Sequence, residues 1–191
     1  TAVLCTATQP LLDRMIAEFS PAAAVRELCP PALVDTELLK RVVYRFEGDL
    51  SDAALAERIS VEHQVLCIVN NRAEAQSLYA ALPQESSYCL TTWLTPHDRG
   101  AALEAIRRQL ADGKVCRVIS TSLVEAGVDL DFPCVYRAIA GLDSIVQAGG
   151  RCNREGLHAA ADSVVHVFVP EAAAPRRLAQ NIAAAERTIR A

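Results

Sequence analysis

Gln147, Arg151 and Arg154 are the residues whose types and spacing best suit a chemical task. From Asp143 the segment DSIVQAGGRCNR predicts a helix, with Ser144 and Gln147 at the spacing of a capping box. On that helix Gln147, Arg151 and Arg154 fall at i, i+4 and i+7 and share one face. Two neighbouring arginines repel each other, but each guanidinium can offer two parallel hydrogen bonds to phosphate oxygens. The spacing therefore predicts a polyanion site, and the alternative is a solvated basic helix face.

Two adjacent glycines in the same segment, Gly149 and Gly150, favour the polyanion site. A plain surface helix loses about 1 kcal/mol for each glycine in its interior and gains nothing in return. A helix surface without side chains lets a ligand or another backbone approach closely. We therefore expect Gly150 to lie at the same site as the arginines.

A second polar cluster lies upstream, in the stretch STSLVEAGVDLDF at 120–132. The apolar run VCRVIS before it predicts a buried strand, so Thr121 and Ser122 follow where that strand ends. Ser122 and Glu125 also have capping-box spacing. A short helical turn is therefore predicted to begin at this point.

Two acidic residues follow that turn. Gly127 is expected to end the turn, and the alternation of apolar and acidic residues after it puts Asp129 and Asp131 on one side of an extended segment. These carboxylates either cap backbone donors or serve a ligand. A metal site or an acid–base pair would need a further histidine or acidic residue nearby, and the sequence offers none.

The remaining chain alternates apolar runs of strand length with helical segments of 10–15 residues. The strands are predicted at 41–46 (RVVYRF), 64–70 (QVLCIVN), 88–94 (YCLTTWL), 115–120 (VCRVIS), 134–141 (CVYRAIAG) and 164–170 (VVHVFVP). Ser51, Asn71 and Thr95 are predicted to cap the helices between them. This order indicates an α/β fold, a parallel β-sheet with helices on both faces.

Asn70 and Arg72 lie where a predicted strand ends and a helix begins. Open α/β sheets bind ligands at the carboxyl ends of their strands, and helix N-termini attract anions. The two side chains are thus candidate anion contacts. The alternative is that they only cap a helix and meet solvent.

Both polar clusters resemble motifs of superfamily 2 helicases. T-S-L-V-E-A-G-V-D-L-D-F resembles motif V, and Q-A-G-G-R-C-N-R resembles motif VI, usually Q-x-x-G-R-x-x-R. The forms E-x-G-V-D-x-D-F and D-S-x-x-Q-A-x-G-R-x-N-R are typical of one family, the CRISPR-associated helicase-nuclease that degrades DNA for the Cascade surveillance complex. Ala148 stands where many related helicases carry Arg. The resemblance implies a RecA-like, P-loop NTPase-like fold.

The resemblance also implies roles for individual residues. Arg151 and Arg154 are expected to be arginine fingers for ATP, with Arg154 at the γ-phosphate, and Gln147 is expected to orient water or contact phosphate. The residues expected to line the ATP site are Gly127, Asp129 and Gly150. The stretch CIVNNRAEAQSLY resembles motif IV, and the residues expected to contact nucleic acid are Asn70, Arg72, Arg99, Thr121 and Ser122. Thr6 and Thr8 resemble motif III, which couples nucleotide state to nucleic-acid binding.

The chain has no G-x-x-x-x-G-K-[ST] phosphate loop and no D-E-x-x magnesium box. ATP and Mg²⁺ are therefore expected to be held mainly by a first motor domain absent from this chain, which should not hydrolyse ATP alone. The predicted organisation is the tail of that first domain with a linking helix (1–18), a connector (19–40), the second RecA-like domain (41–170), and a connector with a C-terminal helix (171–191) leading into further sequence.

Net charge and cysteine content limit the partners that the sequence can be expected to bind. A net charge of −4 argues against a general nucleic-acid coat, so binding must rest on a local groove. Seven scattered cysteines without C-x-x-C favour a reducing cytoplasm and disfavour zinc. The sequence contains no apolar run of about 18 residues, so it predicts no membrane span. The resemblance implies 3′-to-5′ movement on single-stranded DNA, recruitment by Cascade, and cleavage by a separate HD nuclease domain.

Three alternatives stand beside this interpretation. One within the same class is a general superfamily 2 DNA or RNA helicase, and one from another class is a catalytically inert helicase-like docking module. The intact residues Gln147, Arg151 and Arg154 argue against the inert module. A small-molecule enzyme of flavodoxin or Rossmann type is disfavoured because no G-x-G-x-x-G turn is present. The His97-Asp98 pair lacks the grouped ligands that an HD nuclease site needs.

Overall fold

The structure is a computed structural model that describes Ile16, Glu18, and residues 40–125 and 127–189. The chain divides into two units, Thr1–Lys40 and Arg41–Ala191. Thr6 and Thr8 lie outside the described residues, as do nearly all of the predicted linking helix and the connector at 19–40. The second unit carries the sheet and both polar clusters.

The described part of the second unit contains six strands and five α-helices. The strands are β1 (Val43–Leu50), β2 (Gln64–Ile68), β3 (Ser87–Leu90), β4 (Cys116–Ser120), β5 (Cys134–Ala138) and β6 (Val164–Pro170). The helices are α1 (Asp52–Val61), α2 (Arg72–Ala81), α3 (Pro96–Ala111), α4 (Leu142–Gly149) and α5 (Ala179–Ile189). Short 3-10 turns occupy Ser122–Val124, Ala160–Asp162 and Arg176–Leu178.

All six strands are parallel and form one sheet in the order β1-β6-β5-β2-β4-β3. Alternate residues of each strand point to opposite sides of the sheet, and helices cover both of these faces. Val65 and Cys67 of β2 pack in the core cluster with α1 and α2, whereas Leu66 and Ile68 pack in the cluster with α3 and α4. The predicted α/β fold, a parallel sheet with helices on both faces, is confirmed.

Three helix starts follow the predicted caps. The side chains of Ser51, Asn71 and Thr95 each accept a hydrogen bond from the backbone N–H three residues later, at 3.2, 2.8 and 3.2 Å. Pro96 occupies the first turn of α3, where its missing N–H leaves no bond unmade. Local sequence signals therefore set where α1, α2 and α3 begin.

Three predicted strands end early: the strand at 64–70 ends at Ile68, the strand at 134–141 at Ala138, and the strand at 88–94 differs most. The strand at 88–94 ends at Leu90, and the chain then turns. Thr91 Oγ1 accepts a hydrogen bond from the backbone N–H of Trp93, and the carbonyl of Thr91 accepts one from Leu94. A threonine hydroxyl that bonds to the backbone two residues on competes with strand pairing, which is why the apolar run does not continue as sheet.

Glu74 of α2 gives the fold a pH dependence. Its side chain is 4% exposed, and burial, followed by the charge of Asp52, raises its pKa from 4.5 to about 7. The folded state thus binds this proton more tightly than the unfolded chain does. The contribution of Glu74 to the free energy of unfolding is greatest below the pKa that this group has in the unfolded chain. It falls as the pH rises towards 7 and is constant above that pH. The total loss is roughly 3 kcal/mol at most.

Glu74→Gln is expected to remove this slope and to raise the free energy of unfolding at pH 8 by about 1–2 kcal/mol, because no charge is then buried. Urea unfolding of both proteins at several pH values between 4.5 and 8 measures it. Glu57→Gln, at an exposed position of the neighbouring α1, is the control and should change little. An unaltered pH slope in Glu74→Gln would show that another group is responsible.

No helix within the described ranges is both long and apolar enough to cross a lipid bilayer.

Candidate functional site

The first polar cluster begins at the carboxyl end of β4. Thr121 is buried, and its backbone N–H donates to Leu90 O at the end of the neighbouring β3. Ser122 is exposed and starts the 3-10 turn Ser122–Val124, so the predicted short helical turn is confirmed. The capping box predicted for Ser122 and Glu125 is wrong, because no side chain caps this turn. Glu125 is instead directed to a buried arginine, described below.

Asp129 and Asp131 meet the segment that follows α4. Asp131 accepts hydrogen bonds from the backbone N–H groups of Arg154 and Glu155, at 2.7 and 3.1 Å. Asp129 Oδ1 lies 2.9 Å from Arg154 Nε. Phe132 and Cys152 form a parallel bridge between the two segments. Asp131 therefore caps backbone donors, which was one of the two interpretations of these carboxylates. The contacts also place the two polar clusters on one surface.

The helix predicted from Asp143 to Arg154 is wrong in its extent. It begins at Leu142 after Gly141, without a side-chain cap, so Ser144 and Gln147 do not form a capping box. It ends at Gly149, and Arg151 and Cys152 bond back to carbonyls only three residues earlier. Adjacent glycines weaken the helix, and the bridge to Phe132 draws the chain out of it. Arg151 and Arg154 accordingly do not share a helix face.

Gly149 does not leave the helix surface open to a ligand, as the sequence suggested it would. A Cβ atom placed on it would lie 2.1 Å from Oη of Tyr44 in β1, so the tyrosine ring covers this part of α4. Gly150 is exposed, and Gln147 is partly buried on α4. Gly127 is exposed with a φ of +70°, a backbone conformation that favours glycine. Gly150, the glycine predicted to admit a ligand beside Arg151, is thus exposed. Its neighbour Gly149 instead makes room for the ring of Tyr44.

Arg151 and Arg154 have different surroundings. Arg151 is 8% exposed, and its guanidinium donates to the carbonyls of Val124, Glu125 and Gly150 at 2.9, 2.8 and 3.2 Å. Burial, and then repulsion from Arg154, lowers the pKa of Arg151. The Arg154 side chain is 41% exposed and pairs with Asp129. Arg151 braces the turn after β4, whereas Arg154 presents its guanidinium to solvent.

A groove of about 330 Å³ adjoins this surface on the α3 side. Asp129, Asp131 and Glu155 line it, together with Arg107, whose Nε donates to Asp129 O at 3.3 Å. Three carboxylates make the groove unsuited to phosphate groups. Cys152 contacts the carbonyls of Pro133 and Val164, so the part of this region around Cys152 lies towards the amino ends of β5 and β6.

A buried charged network was missed in the sequence. Arg137 of β5 is 2% exposed; its Nη2 lies 2.9 Å from Glu125 Oε1, and its Nη1 donates to Asn70 Oδ1 at 3.0 Å. Burial raises the pKa of Glu125, an effect that Arg137 partly offsets, and burial lowers the pKa of Arg137. An arginine inside the apolar run CVYRAIAG was the signal for this network.

Asn153 was also missed. It is 1% exposed and has a φ of +47°, in the left-handed region that asparagine tolerates better than most residues. Its side chain bonds to Arg41 O and His158 O, each at 2.8 Å, and accepts from the backbone N–H of His158 at 3.0 Å. Arg41 in turn donates to Arg154 O. Asn153 therefore fixes the turn that carries Arg154.

The residues predicted to contact nucleic acid lie at the carboxyl edge of the sheet. Arg72 is exposed at the start of α2; its guanidinium lies 3.4 Å from Thr92 Oγ1 and 5.0 Å from the centre of the Trp93 ring. Asn70 is less available, because Nδ2 donates to Ile139 O at 2.9 Å and Oδ1 accepts from Arg137. Arg99 is partly buried in the first turns of α3.

Comparison with known proteins decides the family. The family described as CRISPR-associated nuclease/helicase Cas3, C-terminal, matches residues 61–157, which is just over half of the chain. The chain belongs to this Cas3 family. The matched range contains both polar clusters and the segment that joins them. It is a Cas3-type helicase C-terminal domain.

Curated Cas3 relatives agree with that assignment. The Cas3 nuclease/helicase of Haloferax volcanii is 57% identical over 60 residues, 31% of this chain and 6% of that protein. The Cas3 nuclease/helicase of Methanothermobacter thermautotrophicus is 30% identical over 121 residues, 62% of this chain and 14% of that protein. The chain thus spans a small part of the length of these relatives.

Solved structures are similar in fold. The crystal structure of T. fusca Cas3 with ATP has a TM-score of 0.59 at 19% identity, covering 84% of this chain and 20% of that one. The C-terminal domain of the DEAD-box protein Dbp5 has a TM-score of 0.58 at 14% identity, covering 79% of this chain and 87% of that one. The Cas3-family domain therefore has the fold of a helicase C-terminal domain. Across the described residues, no group of three or more His, Cys, Asp or Glu side chains could hold a metal ion.

Proposed function

We propose that this chain is the second motor domain of an ATP-dependent translocase on single-stranded DNA. In this proposal Arg154 supplies an arginine finger to ATP bound on a first motor domain outside the chain. The observation that supports it most is the 2.9 Å contact between Arg154 Nε and Asp129 Oδ1. It brings the two helicase-like motifs to one surface, although 25 positions separate them in the sequence.

The ion pair of Arg154 suits exchange with a nucleotide. The side chains of Arg154 and Asp129 are 41% and 75% exposed. Such a pair contributes only about 0–1 kcal/mol, so a triphosphate with more negative charge can replace Asp129 at little cost. Meanwhile the backbone N–H of Arg154 stays bonded to Asp131. The finger can therefore swing to phosphate while its base remains fixed.

The other proposed nucleotide contacts differ in how freely they can move. Arg151 is proposed to act with Arg154, and its bonds to the carbonyls of Val124 and Glu125 hold the turn after β4 beside the finger. Gln147, Gly127 and Gly150 are proposed to line the same surface, with Asp129 directed to the ribose side. ATP and Mg²⁺ would be held mainly by the first domain. The Cas3 relative whose structure is described as containing ATP is consistent with that cofactor.

Nucleic acid is proposed to bind the carboxyl edge of the sheet, which includes the turn after β4 that Arg151 holds. The proposed contacts are Arg72, Thr121 and Ser122, with Asn70 and Arg99 beside them. They would hold phosphates, which carry no sequence information. Thr6 and Thr8 are proposed to couple the two surfaces. Opening and closing of the cleft between the motor domains would then move the strand. Cascade and an HD nuclease domain are the proposed partners, as family membership suggests.

Arg72→Ala in the full-length protein is expected to weaken binding to single-stranded DNA and to lower the salt slope of log K by about 1, because one phosphate contact is lost. Fluorescence anisotropy with a labelled oligonucleotide over a range of salt concentrations measures both. Arg108→Ala is the matched control, since Arg108 is exposed near the other end of α3. An unchanged slope in Arg72→Ala would mean that Arg72 only begins a helix. Asn70→Ala is a poorer test, because it also removes a partner of Arg137.

The identity of the activating polymer tests the function itself. ATP hydrolysis by the full-length protein is expected to rise with oligothymidylate and not with oligouridylate of equal length. Equal stimulation by both would favour a general superfamily 2 helicase. Binding of either polymer without any ATP hydrolysis would favour an inert docking module and contradict the proposal.

A further inference from the structure

Trp93 has no role in the function proposed above, and its surroundings are unusual for a tryptophan. It is the one tryptophan of the chain, and its residue surface is 53% exposed. Tryptophan side chains are highly buried on average, because they lose much apolar contact when they face water. Trp93 follows β3, at the carboxyl edge of the sheet that also carries Arg72 and Ser122.

The turn that carries Trp93 is fixed by contacts on both sides. Thr91 is 3% exposed, and its hydroxyl accepts from the Trp93 N–H at 3.3 Å while its carbonyl accepts from Leu94 at 3.2 Å. Leu94 packs against the core cluster. The indole is therefore held outwards by an ordered backbone, which reduces the entropy lost when a ligand binds it.

A cation accompanies the indole. The Arg72 guanidinium lies 5.0 Å from the centre of the Trp93 ring, within the range of a cation–π contact, and 3.4 Å from Thr92 Oγ1. No ion pair between Arg72 and a carboxylate occurs among the residues that the structure describes. The positive charge thus remains available to an anion beside an exposed aromatic face.

We propose that Trp93 is a base-stacking platform for the nucleic-acid strand, with Arg72 holding the adjacent phosphate. Proteins that bind single strands without sequence preference combine positive groups along the backbone with aromatic side chains under the bases. Trp93 and Arg72 supply one of each, and the exposed Ser122 lies at the same edge of the sheet. This inference rests on the proposed function and adds a contact to the base, which phosphate contacts alone do not provide.

The test compares a normal oligothymidylate with an abasic deoxyribose-phosphate chain of equal length, both labelled, using anisotropy with the full-length protein. Trp93→Ala is expected to weaken binding of the normal oligonucleotide by roughly 5- to 100-fold, since stacking of one base is worth about that much. It should leave the abasic chain's affinity unchanged. Trp93→Phe retains a ring and should recover most of the loss. Arg72→Ala should weaken binding of both polymers.

The possible results distinguish a failure of the stacking role from a failure of the proposed function. If Trp93→Ala binds the normal oligonucleotide as tightly as the unmodified protein does, the stacking role is wrong, while stimulation of ATP hydrolysis by DNA would still support the translocase. If Trp93→Ala weakens binding of both polymers equally, Trp93 only shapes the turn, and the inference is also wrong. In the 191-residue chain, which has four tyrosines and one tryptophan, the tryptophan fluorescence comes from Trp93 alone. Stacking predicts saturable quenching by the normal oligonucleotide and none by the abasic chain.

Discussion

Arg154→Ala in the full-length protein is expected to lower kcat for ATP hydrolysis by roughly 10³-fold or more, because arginine fingers contribute about 10³–10⁵ to the rate of phosphoryl transfer. The loss corresponds to about 4 kcal/mol or more of transition-state stabilisation. Folding should be little affected, since the side chain is 41% exposed and the carboxylates near it, Asp129 at 2.9 Å and Glu155 at 3.9 Å, are more exposed still. DNA binding should persist, because Arg154 is not among the proposed strand contacts.

Two variants make this prediction specific. Arg107→Ala removes a neighbouring exposed arginine that also contacts Asp129, through the carbonyl and not the carboxylate, and should change kcat little. Arg154→Lys keeps the charge but not the planar fork of the guanidinium, so its kcat should fall between the other two. If Arg154→Ala retains most of the ATP turnover, the finger lies elsewhere, and Arg151 is the next candidate.

Arg137→Met is expected to lower the free energy of unfolding by about 3–5 kcal/mol, the cost of leaving one partner of a buried ion pair uncompensated. The side chains of Arg137 and Glu125 are 3% and 8% exposed. Removing the guanidinium also leaves Asn70 Oδ1 without the donor that it has in the structure. Urea unfolding of the 191-residue chain, followed by circular dichroism, measures the change.

The double variant Arg137→Met with Glu125→Gln should recover part of that loss, because the buried charge is then gone. Arg117→Met is the matched control: Arg117 is in β4, which β2 separates from β5 in the sheet, and its Nε donates to the carbonyl of Ile59 at 3.2 Å. That change should cost about 1 kcal/mol, the usual contribution of one hydrogen bond. Equal losses in Arg137→Met and Arg117→Met would show that the ion pair has no special weight.

Local signals in the sequence were sufficient for much of the fold. Ser51, Asn71 and Thr95 begin their helices as predicted, because a cap depends on one side chain and the backbone three residues away. The buried strands were found because parallel strands covered on both faces form continuous apolar runs. Neither inference required knowledge of a distant segment.

The parts that were missed depend on contacts between distant segments. The helix after Gly141 ends at Gly149 where Phe132 pairs with Cys152. Arg151 donates to carbonyls 26 and 27 positions away, and Arg137 pairs with Glu125 from another element. Spacing along one helix cannot reveal partners of this kind. The motifs drew attention to Arg151 and Arg154, while tertiary structure shows that Arg151 is buried and that Arg154 is exposed.

The most direct test of the central claim compares the affinities of the full-length protein for ADP and for ADP–aluminium fluoride, a mimic of the transferring phosphoryl group. An arginine finger acts in the transition state more than in the ground state, so it should tighten the second complex selectively. The account predicts that Arg154→Ala binds ADP normally but loses most of the extra affinity for the aluminium fluoride complex. An undiminished affinity ratio in Arg154→Ala would contradict it.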